Sequence, residues 1–313
     1  MLPPDFHEQL RRRARDRAAT RPRGPELPAV RDLVGPGGLR LRLYRCTEET
    51  AGTAEAPGAA GAAPDTTAPG AGSAPDANAP TRDGVPLLVY LHGGGFVFCD
   101  LDTHDRTCRR IARACAVDVL AVDYRLAPEH PHPAALDDAL AVLRWARPTA
   151  VAGDSAGGFL AAAACLALRD EGGPLPGLQA LVCPNTDLTL ALPSVTEKGT
   201  GHGLDTDALA YFASAYVPDP AGRAAASPLH AVDVSGLPPA LIVTAEHDAL
   251  RDEGDAYARR LTAAGVSVRH RCEQGLEHGF IQGMDLVDPA AAAAHDRFFA
   301  DLRALVPRHR PAG

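Results

Sequence analysis

Short apolar runs alternate with helix-like stretches along most of this chain. PLLVYLH (86–92), DVLAVDY (118–124), TAVAGD (149–154), LQALVCP (178–184) and ALIVTAE (240–246) have the length and composition of strands, and each is bounded by glycine, proline or charge. Helical patterns lie between and after them, at 103–116, 134–146, 155–171, 251–265 and 289–305. Strands joined by helices run parallel, and a parallel sheet needs helices on both faces. The alternation therefore predicts one main α/β domain over 1–313 with a mostly parallel central sheet. At 313 residues and 46% hydrophobic content the chain can bury the core this requires.

Four segments depart from the alternation. Residues 5–20 read as an arginine-rich amphipathic helix, and 39–46 (LRLRLYRC) alternate as a half-buried strand does. From 47 to 84 the sequence is built of Ala, Gly, Pro, Thr, Ser and acids, with no aromatic or large aliphatic residue before its end. Such a segment buries too little apolar surface to offset its ordering entropy, so it reads as a disordered surface loop. Its strand-like flanks predict an inflated hairpin connection. Residues 188–225 are too long for an ordinary crossover, and they read as a helical cap inserted over one end of the sheet.

A net charge of −8 gives no electrostatic footprint for nucleic acid or anionic lipid, which favours a small-molecule substrate. The first twenty residues lack an apolar h-region, and the longest apolar run, Phe159 to Leu168, is too short to span a bilayer. A cytoplasmic protein without a membrane partner is the expectation. Seven scattered cysteines with no CxxC pair argue against structural disulfides and zinc, so no metal or other cofactor is expected.

Residues 151–158 read VAGDSAGG. Within them Gly153, Asp154, Ser155, Ala156 and Gly157 form G-x-S-x-G between an apolar strand and an Ala/Leu-rich helix. In that setting the glycines permit a sharp turn that lifts a serine hydroxyl off the end of the sheet. Ser155 is thus the candidate nucleophile, since a simple helix cap needs no glycine two residues away on either side.

A serine hydroxyl needs a base, and the base needs an acid to orient it. Asp248 follows the strand ALIVTAE within two residues, and His278 follows VSVRHRC in a Gly-rich loop, EQGLEHGF. Both emerge at the carboxyl edge of the sheet, in the order Ser, Asp, His. Asp252, one turn into the next helix beside Glu253, is the alternative acid. His270 alternates within a strand and reads as structural, and His247 as a spacer beside the acid.

HGGG at 92–95 follows the first of the apolar runs. Attack on an ester carbonyl builds negative charge on oxygen, and backbone N–H groups must approach closely to stabilise it. Glycine allows that approach. Gly94 and Gly95 are the expected donors with Ala156 as a third, while His92, Gly93 and Asp154 support the motif. A phosphate loop is the rival reading, but the GxGxxG spacing and the P-loop lysine are both missing.

HGGGF (92–96), DYRLAPEHPHPAALDD (123–138), GDSAGG (153–158), HDALRDEG (247–254) and EHGF (277–280) together resemble the hormone-sensitive-lipase-like (GDXG) family of bacterial esterases. The resemblance runs from about residue 28 to 305. It implies an α/β-hydrolase fold with a helical cap, an N-terminal cap arm over 1–27, hydrolysis of carboxylic esters without a cofactor, and frequent homodimers. It also implies that Arg125, Glu129 and His130 are scaffold for the active-site floor. The chain departs from the family pattern in a shorter cap arm, a short join over 145–149, Phe159 where Asn is common and Cys99 where Gly is common. The resulting expectation is a serine carboxylesterase for short-chain esters. Amide, lactone or formyl hydrolysis by the same triad is an alternative, as is a non-catalytic ligand-sensing relative.

Overall fold

The computed structural model describes residue 3 and residues 5–47 and 80–308. Eight strands form one sheet: β1 (Ala29–Val34), β2 (Arg40–Arg45), β3 (Leu87–Leu91), β4 (Asp118–Val122), β5 (Ala150–Asp154), β6 (Gln179–Val182), β7 (Ala240–His247) and β8 (Val268–Glu277). Their order across the sheet is β1-β2-β4-β3-β5-β6-β7-β8. From β4 to β8 every pairing is parallel, and the two at the β1 edge are antiparallel. The helices are α1 (Phe6–Thr20), α2 (Asp105–Cys115), α3 (Ala134–Ala146), α4 (Ala156–Asp170), α5 (Pro193–Glu197), α6 (Thr206–Tyr216), α7 (Arg223–Ala226), α8 (Arg251–Ala263) and α9 (Pro289–Leu305). Among the described residues no helix is long and apolar enough to cross a membrane.

The apolar runs are continuous because both faces of the sheet are covered. In β3, Leu87, Val89 and Leu91 enter the core shared with Ala139 of α3, Leu160 of α4 and Tyr257 of α8. Leu88 and Tyr90 enter the opposite core, with Ile111 of α2 and Phe298 of α9. Period-two alternation thus divides one strand between two helical layers.

The hairpin expected across 47–84 does not form. β2 and β3 are separated by β4, which pairs antiparallel with β2 and parallel with β3. The intervening chain is a passage between non-neighbouring strands, and most of the segment expected to be disordered lies outside the described residues. Its two ends converge on Asp118, the buried first residue of β4. That carboxylate accepts from Arg45 at 2.7 Å, from Arg82 at 2.8 and 2.9 Å, and from the Cys46 amide at 3.0 Å. Arg45 also donates to the Pro80 carbonyl, and Arg82 to the carbonyl and hydroxyl of Thr47. Strand β1, absent from the sequence reading, pairs with β2 from Ala29 opposite Arg45 to Val34 opposite Arg40. Its AVRDLV has no strict alternation, and most of it is only half-buried, which is why its pattern is weak.

Candidate active site

β5 ends at Asp154 and α4 begins at Ala156, which leaves Ser155 alone to turn the chain at φ 53°, ψ −119°. A side chain at Gly157 would run into the Leu91 carbonyl oxygen, and one at Gly153 into the backbone of Gly157. The turn closes only because both positions are bare, which is the physical content of G-x-S-x-G. Ser155 sits at φ > 0 without a glycine's freedom, a conformation the packed strand and helix must hold against its intrinsic cost.

Asp248 directly follows β7. β8 runs on through Gly275 to Glu277, past the expected loop, so His278 directly follows a strand as well. Its Nδ1 lies 2.8 Å from Asp248 Oδ2, and its Nε2 lies 3.1 Å from Ser155 Oγ. Asp248 is fully buried, and its other oxygen accepts from the Leu250 amide at 2.8 Å. Burial alone would push the His278 imidazole down, but the charges of Asp248 and Asp154 outweigh it and raise its pKa above the ordinary value.

The competitors are engaged elsewhere. Asp252 accepts from the Ser194 amide of α5 and pairs with Arg251. Glu253 is buried, accepts from the Thr186 amide, and is pushed well above the usual carboxylate range by burial and by nearby Asp187. His270 pairs with Asp255 at 2.8 Å, and His247 stacks on His202.

The HGGG loop lies against the elbow. Gly94 has φ 113°, and a Cβ there would strike the Phe98 carbonyl. The amides of Gly94, Gly95 and Ala156 donate to no acceptor among the described residues. His92 stacks on Tyr124 with ring centroids 4.2 Å apart, and its Nδ1 lies 2.7 Å from the Gly93 carbonyl. Burial and the neighbouring His104 lower its pKa to about 4, so it is neutral and Nδ1–H donates.

Asp154 links these parts. Its buried carboxylate accepts from Tyr90 Oη at 2.7 Å, the Gly93 amide at 3.1 Å and Gln282 Nε2 at 2.7 Å, and it faces His104 Nε2 at 3.3 Å. Burial opposes its charge, but His104, Gln282 and Tyr90 together hold its pKa well below the carboxylate range. Strand β3, the glycine loop, α2 and the loop after His278 thus meet on one group. The sequence reading placed Asp154 in the motif but missed His104, Gln282 and Tyr90, which no local spacing connects to it. Tyr90 and Gln282 stand out only as polar groups in apolar or glycine-containing surroundings, and His104, within the polar stretch DLDTHDR, carries no such signal.

The family departures have local reasons. Cys99 has φ 72°, a conformation in which glycine carries no Cβ penalty. Phe159 is buried edge-on against Phe96 and Tyr216, at centroid distances of 5.2 and 5.7 Å. Of the expected scaffold residues, Arg125 pairs with Asp138 at 2.8 Å and His130 is exposed. Glu129 binds Arg11 of α1 and so fastens the N-terminal helix.

Ser155 and His278 open into a cavity of about 980 Å³. α6 of the 188–225 insertion and α1 close it from above, joined to each other by Phe6 edge-on to Tyr211 at 5.1 Å and by His7 at 3.1 Å from Tyr211 Oη. The ring of Phe212 rests on Gly95, so that a Cβ there would lie 2.5 Å from it. Among the described residues, one group of His, Cys and acid side chains is close enough to share a metal ion: Cys183, Asp248 and His278. Two of the three already share a hydrogen bond in the chain that ends at Ser155.

Residues 88–282 match the model of a family with the alpha/beta hydrolase fold. The chain is 46% identical over 242 residues to carboxylesterase NlhH of Mycobacterium tuberculosis, covering 71% of this chain and 74% of that protein. It is 41% identical to an ethyl acetate hydrolase of Pseudomonas putida over 65% and 68% of the two chains. Its structure is similar to that of EstE1, a thermostable carboxylesterase cloned from a metagenomic library, with a TM-score of 0.79, 33% identity and 97% of each chain covered. It is also similar to a hyperthermophilic esterase of Pyrobaculum calidifontis, with a TM-score of 0.76, 34% identity and 96% and 93% coverage.

Proposed function

The chain belongs to the α/β-hydrolase-fold family, in its hormone-sensitive-lipase-like branch, and on that premise we propose a serine carboxylesterase in which Ser155, His278 and Asp248 form the catalytic triad. The observation that carries the assignment is the unbroken chain from Asp248 through His278 to Ser155 beside three uncommitted backbone amides.

Ser155 Oγ attacks the acyl carbonyl as His278 Nε2 takes its proton. The oxygen of the tetrahedral intermediate receives hydrogen bonds from Gly94, Gly95 and Ala156. Asp248 holds the imidazole in the tautomer that presents a bare Nε2 and stabilises the imidazolium once formed. Collapse of the intermediate breaks the C–O bond, and His278 returns the proton to the departing alcohol. Water then adds to the acyl-enzyme with His278 again as base, and release of the carboxylic acid restores Ser155.

The cavity is closed by short helices, and the 188–225 insertion is broken by Pro193, Gly199, Gly201 and Gly203, so it lacks the broad apolar face of an interface-seeking lid. This supports soluble esters with acyl chains of roughly two to eight carbons as substrates. A fluorophosphonate probe and a p-nitrophenyl ester series test the reading. Wild type is expected to be labelled and to peak at short chains, and Ser155→Ala to be neither labelled nor active. Equal labelling of both proteins would refute the nucleophile, and a maximum at long chains with activation at micelles would refute the substrate class.

A further inference from the structure

Helix α1 sends two rows of side chains to the cavity at four-residue spacing. Phe6, Leu10, Ala14 and Ala18 form an apolar row that seats the helix; Arg13, Arg17 and, one residue past the helix end, Arg21 form a second row beside it. Residues three and four apart share a flank of a helix, so the two rows are neighbours, and the small Ala14 and Ala18 leave room beside the guanidinium stems.

Arg11, on the same helix, shows what a committed guanidinium looks like here. It binds both oxygens of Glu129 and donates to the Val97 and Ala127 carbonyls. Arg13, Arg17 and Arg21 make no hydrogen bond or ion pair with any described residue, although all three line the cavity that holds Ser155 and His278. Arg21 is partly desolvated, and both Arg17 and Arg106 repel it, so its charge is held at a cost. Asp285, whose field reaches Arg21, is already paired with Arg106 and Arg110. The acids lining the same cavity, Asp205 and Asp207, stand at the head of α6 and pair with none of the three.

We propose that Arg13, Arg17 and Arg21 bind an anionic group of the substrate, so that the preferred esters carry a carboxylate on the acyl or the alcohol part. Three guanidinium groups on one wall of a half-enclosed cavity attract an anion and offer it forked donors, and the catalytic serine lies in the same space. This rests on the esterase reading and narrows it from esters in general to acidic ones.

The test compares kcat/KM for a charged and a neutral ester of similar length in two arms. Mono-p-nitrophenyl glutarate against p-nitrophenyl butyrate probes the acyl side, and acetoxyacetate against ethyl acetate probes the alcohol side. In Arg13→Gln/Arg17→Gln/Arg21→Gln, checked for folding by circular dichroism, the charged-to-neutral ratio is expected to fall about tenfold in one arm, through KM. The corresponding triple Arg→Lys variant keeps most of the ratio, and high salt erodes it in the wild type. If the triple Gln variant is unfolded, Arg17→Gln alone serves, with a fall of about twofold to threefold. A ratio unchanged by the Gln substitutions and by salt in both arms overturns the proposal. A wild type inert towards both neutral esters would instead refute the esterase reading, and calorimetry with glutarate, binding wild type but not the triple variant, then decides the arginine row by itself.

Discussion

The floor and the roof of the cavity are built on opposite principles. In the floor, Ser155, Asp248 and His278 each follow a strand end, and the buried polar groups around them are bound to one another, with Asp154 alone holding four partners. In the roof, α1 and α6 meet through one aromatic contact and one histidine, and Arg13, Arg17 and Arg21, which line the cavity, make no ion pair among the described residues. Chemistry is fixed where backbone and buried hydrogen bonds over-determine the geometry. Selectivity sits where a side chain can change at little cost to the fold.

The contrast makes predictions of decreasing size. In the floor, Ser155→Ala is expected to lower kcat by about 10⁴-fold or more while circular dichroism and melting stay near wild type, since the hydroxyl packs little surface. Asp248→Asn should cost about 10⁴-fold, and Asp252→Asn only a few-fold, because Asp252 binds the Ser194 amide of α5. Steady-state kinetics on a short-chain ester decides between them, and the reverse order would move the acid into α8. The raised pKa of His278 has a directional consequence. The base must be neutral, so kcat/KM is expected to rise with pH through a value above the ~6.5 of a free histidine, and Asp248→Asn should move that limb to lower pH.

Where floor and roof touch, the effect should be intermediate and coupled. Gly95→Ala places a methyl against the Phe212 ring and is expected to cost about tenfold to a hundredfold in kcat, with part of it recovered in Gly95→Ala/Phe212→Ala. Strict additivity in that double-mutant cycle would mean that α6 does not press on the oxyanion loop. The smallest effect is expected from the excursion whose described ends meet at Asp118. Deleting 48–79 and closing the gap with a short turn is expected to leave turnover within about twofold and stability within about 1 kcal/mol. Extending the deletion through Arg82 should destabilise the fold further, because it takes partners from buried Asp118. Chemical denaturation of the two deletions reads the difference.

The sequence made the sheet legible because each strand announces itself locally, by an apolar run and a terminator. The candidate triad was legible for the same reason: its members lie at strand ends, at positions the local pattern marks. What stayed hidden depends on crossovers. Nothing in LRLRLYRC and PLLVYLH says that β4 will come between them, because the pairing is settled by a strand about thirty residues further on. Gln282 and His104 meet at Asp154 only after β5, β8 and α2 are in place, and neither has a period to reveal it. The arginine row of α1 was visible as composition, but the side of the helix that faces the cavity is known only once Phe6 and Arg11 have docked it.

The clasp at Asp118 turns the region after β2 into a port. Arg45 and Arg82 grip one buried carboxylate from opposite ends of the excursion, and each also holds the backbone of the other end. The two ends are thereby fixed to each other, so whatever is spliced between Thr47 and Pro80 inherits a fixed entrance and exit. A binding module, a tether to a surface or a second enzyme could be grafted there, far along the chain from Ser155, with the hydrolase left to assemble as before.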